Sequence, residues 1–190
     1  MDNKTRCGWV PLNDPLYVKY HDEEWGVPLH DDRLLFESLI LDGVQAGLSW
    51  ITILRKRENY RKAYDNFDAE KIAHYGEEKI AELMNNPGII RNRRKIEASI
   101  HNARLYLNIR EESGSFDHYL WQFVGGEPKI NSWKTWAEAP TTSAESDAMS
   151  KDLKKRGFKF VGPTICYAFM QAAGLINDHT TDCFRYNEVM

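Results

Sequence analysis

"NNPGIIRNRRK", from Asn85 to Lys95, is the stretch on which the reading of the fold turns. A Pro-Gly pair lies between two segments of helical periodicity, and four of the five residues from Arg91 to Lys95 are basic. Backbone N–H groups of a tight hairpin, next to a helix N-terminus, make an anion site that suits a phosphate. Phosphate contacts seat a protein on DNA without reading its sequence. A Pro-Gly pair alone marks only a turn. Set between two helices and followed by a basic cluster, it points to an anchoring hairpin.

Outward from the hairpin, helical spacing dominates the chain. Asp31 or Asp32 can cap a helix with Leu35, Leu39 and Ala46 on one stripe. Ser49 opens "SWITILRKRENYRKAY", and Asp68 and Glu77 begin two short helices that end at the hairpin. From Arg91 a longer helix places Ile96, Ile100, Ala103 and Leu107 at helical spacing, and "FDHYLWQFV" is a short helix closed by Gly125-Gly126. Ser143 or Thr142 caps the next, with Gly157 as its C′ residue, and Pro163 and Gly174 bracket "PTICYAFMQAA". Period-2 alternation is nearly absent, so the expected class is all-α.

At 190 residues the chain can bury one sizeable core or two lobes that share one. No apolar run is long enough to span a bilayer, and the first residues lack an apolar signal region. Three widely spaced cysteines do not make a disulfide framework, which suggests a reducing, cytoplasmic setting. A net charge of −3 argues against a generally sticky nucleic-acid binder, though not against a local basic face. Two such faces are on offer, Arg91–Lys95 and "KDLKKRGFK" at Lys151–Lys159, and either can equally be a solvated helix surface.

"DHTTDC" near the C-terminus sets His179 and Cys183 four positions apart, and Cys7 and His21 stand near the other end. Together they form a complete tetrahedral zinc set if the termini meet in space. The spacing is not that of a zinc finger, and a buried cysteine, surface histidines or a Cys7–Cys183 disulfide remain open readings. All four positions of such a zinc would be filled by protein, making it structural. His30, His74, His101 and His118 fit no ligand spacing, and Cys166 reads as a buried packing residue.

The N-terminal third is rich in aromatics: Trp9, Tyr17, Tyr20, Trp25 and then Trp50. Large aromatics often fill a core, but a carboxylate among them changes the chemistry. Asp42 falls three positions after Leu39 and seven after Leu35, on the apolar stripe, where an unpaired charge is costly. Near the helix end beside Gly43 it could also be a cap. The sharper reading is a carboxylate at the floor of an aromatic pocket, suited to a flat, cationic ligand.

The blocks "RCGWV", "DPLYVKYHDEEWGVP", "QAGLSWITILRKRENY", "GIIRNRRKI", "KDLKKRGFKFVGPTICYAFMQAAGL" and "NDH…C" resemble the 3-methyladenine DNA glycosylase I family, of the helix–hairpin–helix glycosylase superfamily. The resemblance runs from about Arg6 to Cys183. It implies one glycosylase unit over residues 1–190, with two helical lobes, the hairpin in a lobe at about 77–110, and a base pocket between the lobes. By the same resemblance Cys7, His21, His179 and Cys183 hold one structural zinc ion that joins the termini. Gly88, Ile89 and Arg91 belong to the DNA-anchoring hairpin, and Gly47 and Leu48 to the loop whose leucine wedges into the duplex. Trp9, Tyr17, Trp25 and Trp50 line the base pocket, with Asp42 recognising and electrostatically stabilising the base and Tyr20 hydrogen bonding within it. The implied partner is duplex DNA containing 3-methyladenine, bound by a monomer, and the implied reaction is hydrolytic excision without a lysine intermediate.

The chain departs from the family at Asp42, where a glutamate is usual. Aspartate keeps the charge and withdraws the carboxylate by about 1.5 Å, a reach that a backbone shift or a bridging water can restore. Val44 stands where a polar residue is expected, which suggests a rearranged pocket floor. Superfamily relatives often carry a catalytic aspartate after the hairpin, and this chain has none between Asn92 and Glu112. A damage-binding protein of the same fold, without cleavage, is the alternative reading that the Asp42 departure leaves open.

Overall fold

The structure, a computed structural model, describes residues 4–189. Asp14 begins α1 (Pro15–Glu23): its carboxylate accepts from the N–H groups of Leu16 and Tyr17, and Pro15 occupies the first helical position, where no N–H is needed. Periodicity does not betray this helix, because its two buried residues, Tyr20 and His21, are adjacent rather than spaced. Asp31 caps α2 (Asp32–Gln45) by accepting from Leu34 N–H. Asp32 instead accepts from the N–H groups of Phe116 and Asp117 and so ties a later helix start to α2. Leu35 and Leu39 are buried as their stripe requires, whereas Ala46 is the half-buried residue that ends the helix.

Ser49 precedes α3 (Trp50–Ala63), Asp68 caps α4 (Ala69–Ala73), and α5 (Glu77–Asn85) runs into the hairpin. The long helix α6 (Arg93–Ser113) begins two residues later than Arg91, because Asn92 is its cap and accepts from Lys95 N–H. α7 (Phe116–Trp121) ends in a 3-10 turn and the glycine pair. Ser143, rather than Thr142, caps α8 (Ala144–Lys155) in a reciprocal box with Ser146. Pro163 opens α9 (Pro163–Ala172), which Gly174 leaves with a φ of +72°. A Cβ on Gly174 would stand 2.4 Å from Pro28 N, so only glycine lets the 27–28 backbone lie against this helix end.

The larger apolar cluster joins α2 (Leu35, Phe36, Leu39), α6 (Ile96, Ile100, Ala103) and α9 (Phe169, Met170). A smaller one gathers Cys7, Val10, Tyr20, Trp25, Leu54 and Cys183 from the two chain ends and α3, and Trp50 packs against both. The fold is predominantly helical as expected, with one addition. Two-residue strands β1 (Lys129–Ile130) and β2 (Ile176–Asn177) pair in parallel, Lys129 opposite Ile176. They are too short to show alternation, but they bring the 129–133 segment beside the C-terminal loop. Among the described residues, no helix is long and apolar enough to cross a membrane.

Candidate active site

The two ends of the chain meet around four buried side chains. The donor atoms of Cys7, His21, His179 and Cys183 all lie within 4.8 Å of one another. Cys7 Sγ is 3.4 Å from His179 Nδ1, and Cys183 Sγ is 3.5 Å from both His21 Nε2 and His179 Nδ1. Ligands around a tetrahedral zinc, with ordinary Zn–S and Zn–N bonds, lie about 3.6 Å apart, sulfur to nitrogen. The second nitrogen of each imidazole is also engaged: His179 Nε2 donates to the Trp25 carbonyl at 3.0 Å and His21 Nδ1 to Asp22 Oδ1 at 2.8 Å. A carbonyl and a carboxylate only accept, so the nitrogens facing the sulfurs are free to ligate, the arrangement of metal-binding histidines. Arg6 in turn grips Asp22 through Nε and Nη2. Sharing a proton with Cys7 and lying near both imidazoles, the Cys183 thiol is pushed down, while the Cys7 thiol is pushed up. These four side chains could hold one zinc ion. Gly26, with a φ of +80°, makes room for them, since a Cβ there would lie 2.8 Å from His179 Nε2.

One wall of this cluster is also the wall of a cavity. The Trp25 ring meets His179 edge-on at 4.7 Å and Trp9 at 5.0 Å, and Trp9 continues to Tyr17 at 5.4 Å. Opposite them Tyr20 leans on Trp50, with ring centroids 5.5 Å apart. These five aromatics, with Asp42, line a cavity of about 240 Å³. All of the expected pocket residues are therefore brought together. Trp136, Gln45, Ala168 and Gln171 also line it. Trp136, from a 3-10 turn remote in sequence, packs on Trp9 and Trp25 and carries no sequence signal. Val44 does not face the cavity: it is buried in the larger core. The expected rearrangement of the pocket floor at Val44 is therefore not found, because α2 turns that side chain away from Asp42.

Asp42 is only 3% exposed, and its single partner among the described residues is the Ser38 hydroxyl at a long 3.5 Å. Burial lifts its carboxyl from 3.8 to about 8, with Ser38 opposing weakly. Burial and the nearby Asp42 charge likewise hold the Tyr20 phenol well above its ordinary range. The indole N–H groups of Trp9 and Trp50 are buried without a partner among the described residues. Buried polar groups are nearly always hydrogen-bonded. A cavity with an unpaired carboxylate and two idle donors has the chemistry of a site completed by its ligand.

A second cavity, of about 270 Å³, shares Tyr20, Trp50 and Ala172 with the first. Its acids are already paired, Glu23 with Lys19, Glu24 with Arg57, and Glu37 with Arg33 and Arg61.

The hairpin is built as the sequence suggests, but some of its N–H groups are spent internally. Gly88 N–H donates to Asn86 Oδ1 at 2.8 Å, Ile89 N–H to Asn86 O at 3.4 Å, and Ile90 N–H to the Tyr60 hydroxyl at 3.0 Å. Ile89 is buried. The N–H groups without a partner among the described residues are those of Arg91, Arg93 and Arg94. The basic run is also less uniform than its composition. Arg93 pairs with Glu77 and Glu97, while Arg91 and Arg94 are exposed and carry no ion pair among the described residues. Lys95, expected on the DNA-facing surface, points inward: it is buried, and Nζ donates to Val44 O at 2.7 Å and Ala46 O at 2.6 Å. It thereby caps the C-terminus of α2 and fixes the start of the Gly47–Leu48 loop. Leu48 itself is 39% exposed, a large apolar side chain held out from the surface.

The geometry agrees with three comparisons. Residues 9–186 match the model of the methyladenine glycosylase family. DNA-3-methyladenine glycosylase 1 of Escherichia coli is 54% identical over 181 residues, which is 95% of this chain and 96% of that protein. A crystal structure of a 3-methyladenine DNA glycosylase I superposes with a TM-score of 0.92 at 55% identity, covering 95% of this chain and 98% of the other. A Staphylococcus aureus 3-methyladenine DNA glycosylase I, solved to show the basis of 3-methyladenine recognition, gives 0.89 at 42% identity, over 92% and 93%. By sequence and by fold, the chain belongs to the methyladenine glycosylase family.

Proposed function

We propose that this protein is a monofunctional DNA glycosylase that flips N3-methylated adenine out of duplex DNA and hydrolyses its glycosidic bond. One observation carries the reading: a buried, unpaired carboxylate, Asp42, inside a cage of aromatic rings. Aromatic faces and a negative charge select a flat cation, and methylation at N3 makes adenine one. When the base enters, its charge favours ionised Asp42, and a proton leaves the carboxyl. As the C1′–N9 bond breaks, its electron pair departs with the base and cancels the positive charge. A water oxygen bonds to C1′ and gives up its proton. Because the leaving group needs no protonation, the site has only to hold, orient and electrostatically favour it. Extrusion of a nucleotide costs a few kcal/mol, less for a damaged base, which adds selectivity.

The remaining parts fit this role. The two apolar clusters correspond to two lobes around the cavity, and α5, the hairpin and α6 to a helix–hairpin–helix unit. Leu48 is offered as the wedge that fills the gap in the duplex, with Gly47 giving its loop the turn. Gly88 and Ile89 shape the hairpin, while the free N–H groups and the Arg91 side chain meet phosphate. Cys7, His21, His179 and Cys183 hold a zinc whose four positions are all protein-filled, so it pins the termini and does no chemistry. In this reading the protein acts as a monomer.

The test is release of bases from methylated duplex DNA by the wild type, Asp42→Asn and Asp42→Glu. Free 3-methyladenine from the wild type, reduced about 100-fold in Asp42→Asn, supports the reading, since losing one preorganised electrostatic partner costs about that much. No release by the wild type, together with release by Asp42→Glu, would instead identify a damage-binding protein disarmed by the shorter acid.

A further inference from the structure

Asp178 and Gln171 form a link between the clustered termini and the cavity. Asp178 is fully buried and receives four donors: Asn131 Nδ2 and Trp133 Nε1 on Oδ1, each at 2.7 Å, and the Tyr167 hydroxyl and Gln171 Nε2 on Oδ2. The donors come from two parts of the chain, the segment after β1 and helix α9. The β1–β2 pairing sets the first of these in register. Such a carboxylate cannot move without stranding several buried donors.

Gln171 lies one step further in. It is 8% exposed and lines the aromatic cavity together with Asp42, Tyr20 and Trp50. An amide side chain has two faces, a donor and an acceptor, and its orientation follows from its partners. A carboxylate accepts only, so the Gln171 nitrogen must face Asp178, and Nε2 does so at 2.6 Å. The carbonyl oxygen is left without a partner among the described residues, on a side chain whose remaining surface opens to the cavity.

We infer that Asp178 sets the hydrogen-bonding polarity of the cavity: by taking the Gln171 amide N–H, it presents the Gln171 carbonyl oxygen as an acceptor for the exocyclic amine of the bound base. The inference rests on the glycosylase reading above. The amine of 3-methyladenine carries two N–H groups, and the cavity then holds two acceptors, Asp42 and Gln171. The reverse amide orientation would set oxygen against the Asp178 carboxylate and turn donors toward a cation. A base with a carbonyl at that position, as in N3-methylated guanine, would set oxygen against oxygen. Sites built to pair a substrate N–H reject analogues that lack it. Gln171 is thus a specificity-determining residue and Asp178 its positioning residue.

The test measures binding of two free bases, 3-methyladenine and 3-methylpurine, which lacks the amine. Quenching of tryptophan fluorescence reports binding by the wild type, Gln171→Met and Asp178→Asn, with thermal melting as the control for folding. The wild type is expected to prefer 3-methyladenine by about thirtyfold, the range of two hydrogen bonds. Gln171→Met should cut that preference to about fivefold, the share of one hydrogen bond to Asp42, while holding 3-methylpurine within twofold, and folded Asp178→Asn should weaken it. If Asp178→Asn does not fold, the Gln171→Met comparison decides. A preference undiminished in Gln171→Met, or equal loss of both bases, overturns the inference and leaves Gln171 a packing residue. Absence of binding by the wild type, with no release of 3-methyladenine from methylated DNA, strikes the glycosylase reading itself, and the inference falls with it.

Discussion

Asp178 and Asp42 are both buried aspartates, and the fold treats them in opposite ways. Around Asp178 and the neighbouring Cys7, His21, His179 and Cys183, polar groups are matched: four donors on one carboxylate, an acceptor for the outer nitrogen of each imidazole. Around Asp42 they are left wanting, with one long contact to Ser38 and two indole N–H groups that meet no partner among the described residues. Trp25 belongs to both regions, its carbonyl serving the clasp and its ring the cavity. A buried group without a partner destabilises a fold, so its retention beside a saturated cluster marks where a ligand is to supply the missing bonds. Saturation holds the molecule together, and deficiency is what it binds with.

The largest effect should come from breaking the saturated side. Chelation of zinc, or Cys183→Ala, is expected to lower the melting temperature by more than about 10 °C, because structural zinc sites contribute a large share of folding free energy. Excision should decline only in step with the folded fraction. Melting curves with and without chelator, read beside metal content, check this. Activity lost before structure would mean that the cluster serves chemistry rather than cohesion.

The deficient side predicts the reverse coupling. The folded Asp42 carboxyl sits near 8, above its unfolded value of 3.8, so the folded state holds that proton more tightly. The stability this proton lends is complete at low pH and is lost as the pH rises toward 8. Asparagine has no such proton to lose. Asp42→Asn should therefore stabilise the empty protein by roughly 1–4 kcal/mol more at pH 8 than at pH 5, while excision falls about 100-fold. Melting at pH 5, 7 and 9 resolves it, and a shift that ignores pH would show that Asp42 is paired in solution. For the wild type, excision by the folded enzyme should rise from pH 6 to about 8 as the carboxyl ionises.

A smaller effect separates the loop from the cavity. Lys95→Met keeps the length of the buried side chain but frees the carbonyls of Val44 and Ala46, and with them the Gly47–Leu48 loop. Excision from duplex DNA should drop about tenfold, one charge-assisted hydrogen bond's worth, with binding of free 3-methyladenine unchanged. Equal losses in both assays would place Lys95 under the pocket instead of under the wedge.

Much of this arrangement could be read in the chain, and the failures have separate causes. Cys7, His21, His179 and Cys183 stood out because their side chains admit few roles, and Asp42 because a charge broke an apolar stripe. Lys95 was misplaced by counting charges in "RNRRK" without phasing them. It lies four and seven residues before Ser99 and Asn102, on the face that buries Ile96 and Ile100. Helix α1 escapes a reading by periodicity, and only Asp14-Pro15, a cap followed by a first-turn proline, marks its start. Trp136, Gln171 and Asp178 could not be read at all. Their meaning lies in contacts between remote segments, set by a two-residue strand pair that no pattern reveals.

The contrast between satisfied and unsatisfied groups extends to the surface, where it gives the smallest and most discriminating effect. Arg93 is held by two glutamates, whereas Arg91 stands exposed at the hairpin with no ion pair among the described residues. Lys151, on the second basic run, is equally exposed on α8. If binding to DNA is a diffuse response to positive charge, Arg91→Ala and Lys151→Ala should weaken it alike. If the hairpin seats a phosphate, Arg91→Ala should weaken unmodified duplex about threefold and reduce the slope of log K against log salt by about 1, the loss of one released counterion. Lys151→Ala should then leave the slope where it was. Titrations of one duplex at several salt concentrations separate the two, because charge far from the phosphates is screened within about 10 Å at 0.1 M salt. Only a side chain that meets a phosphate changes the number of ions released.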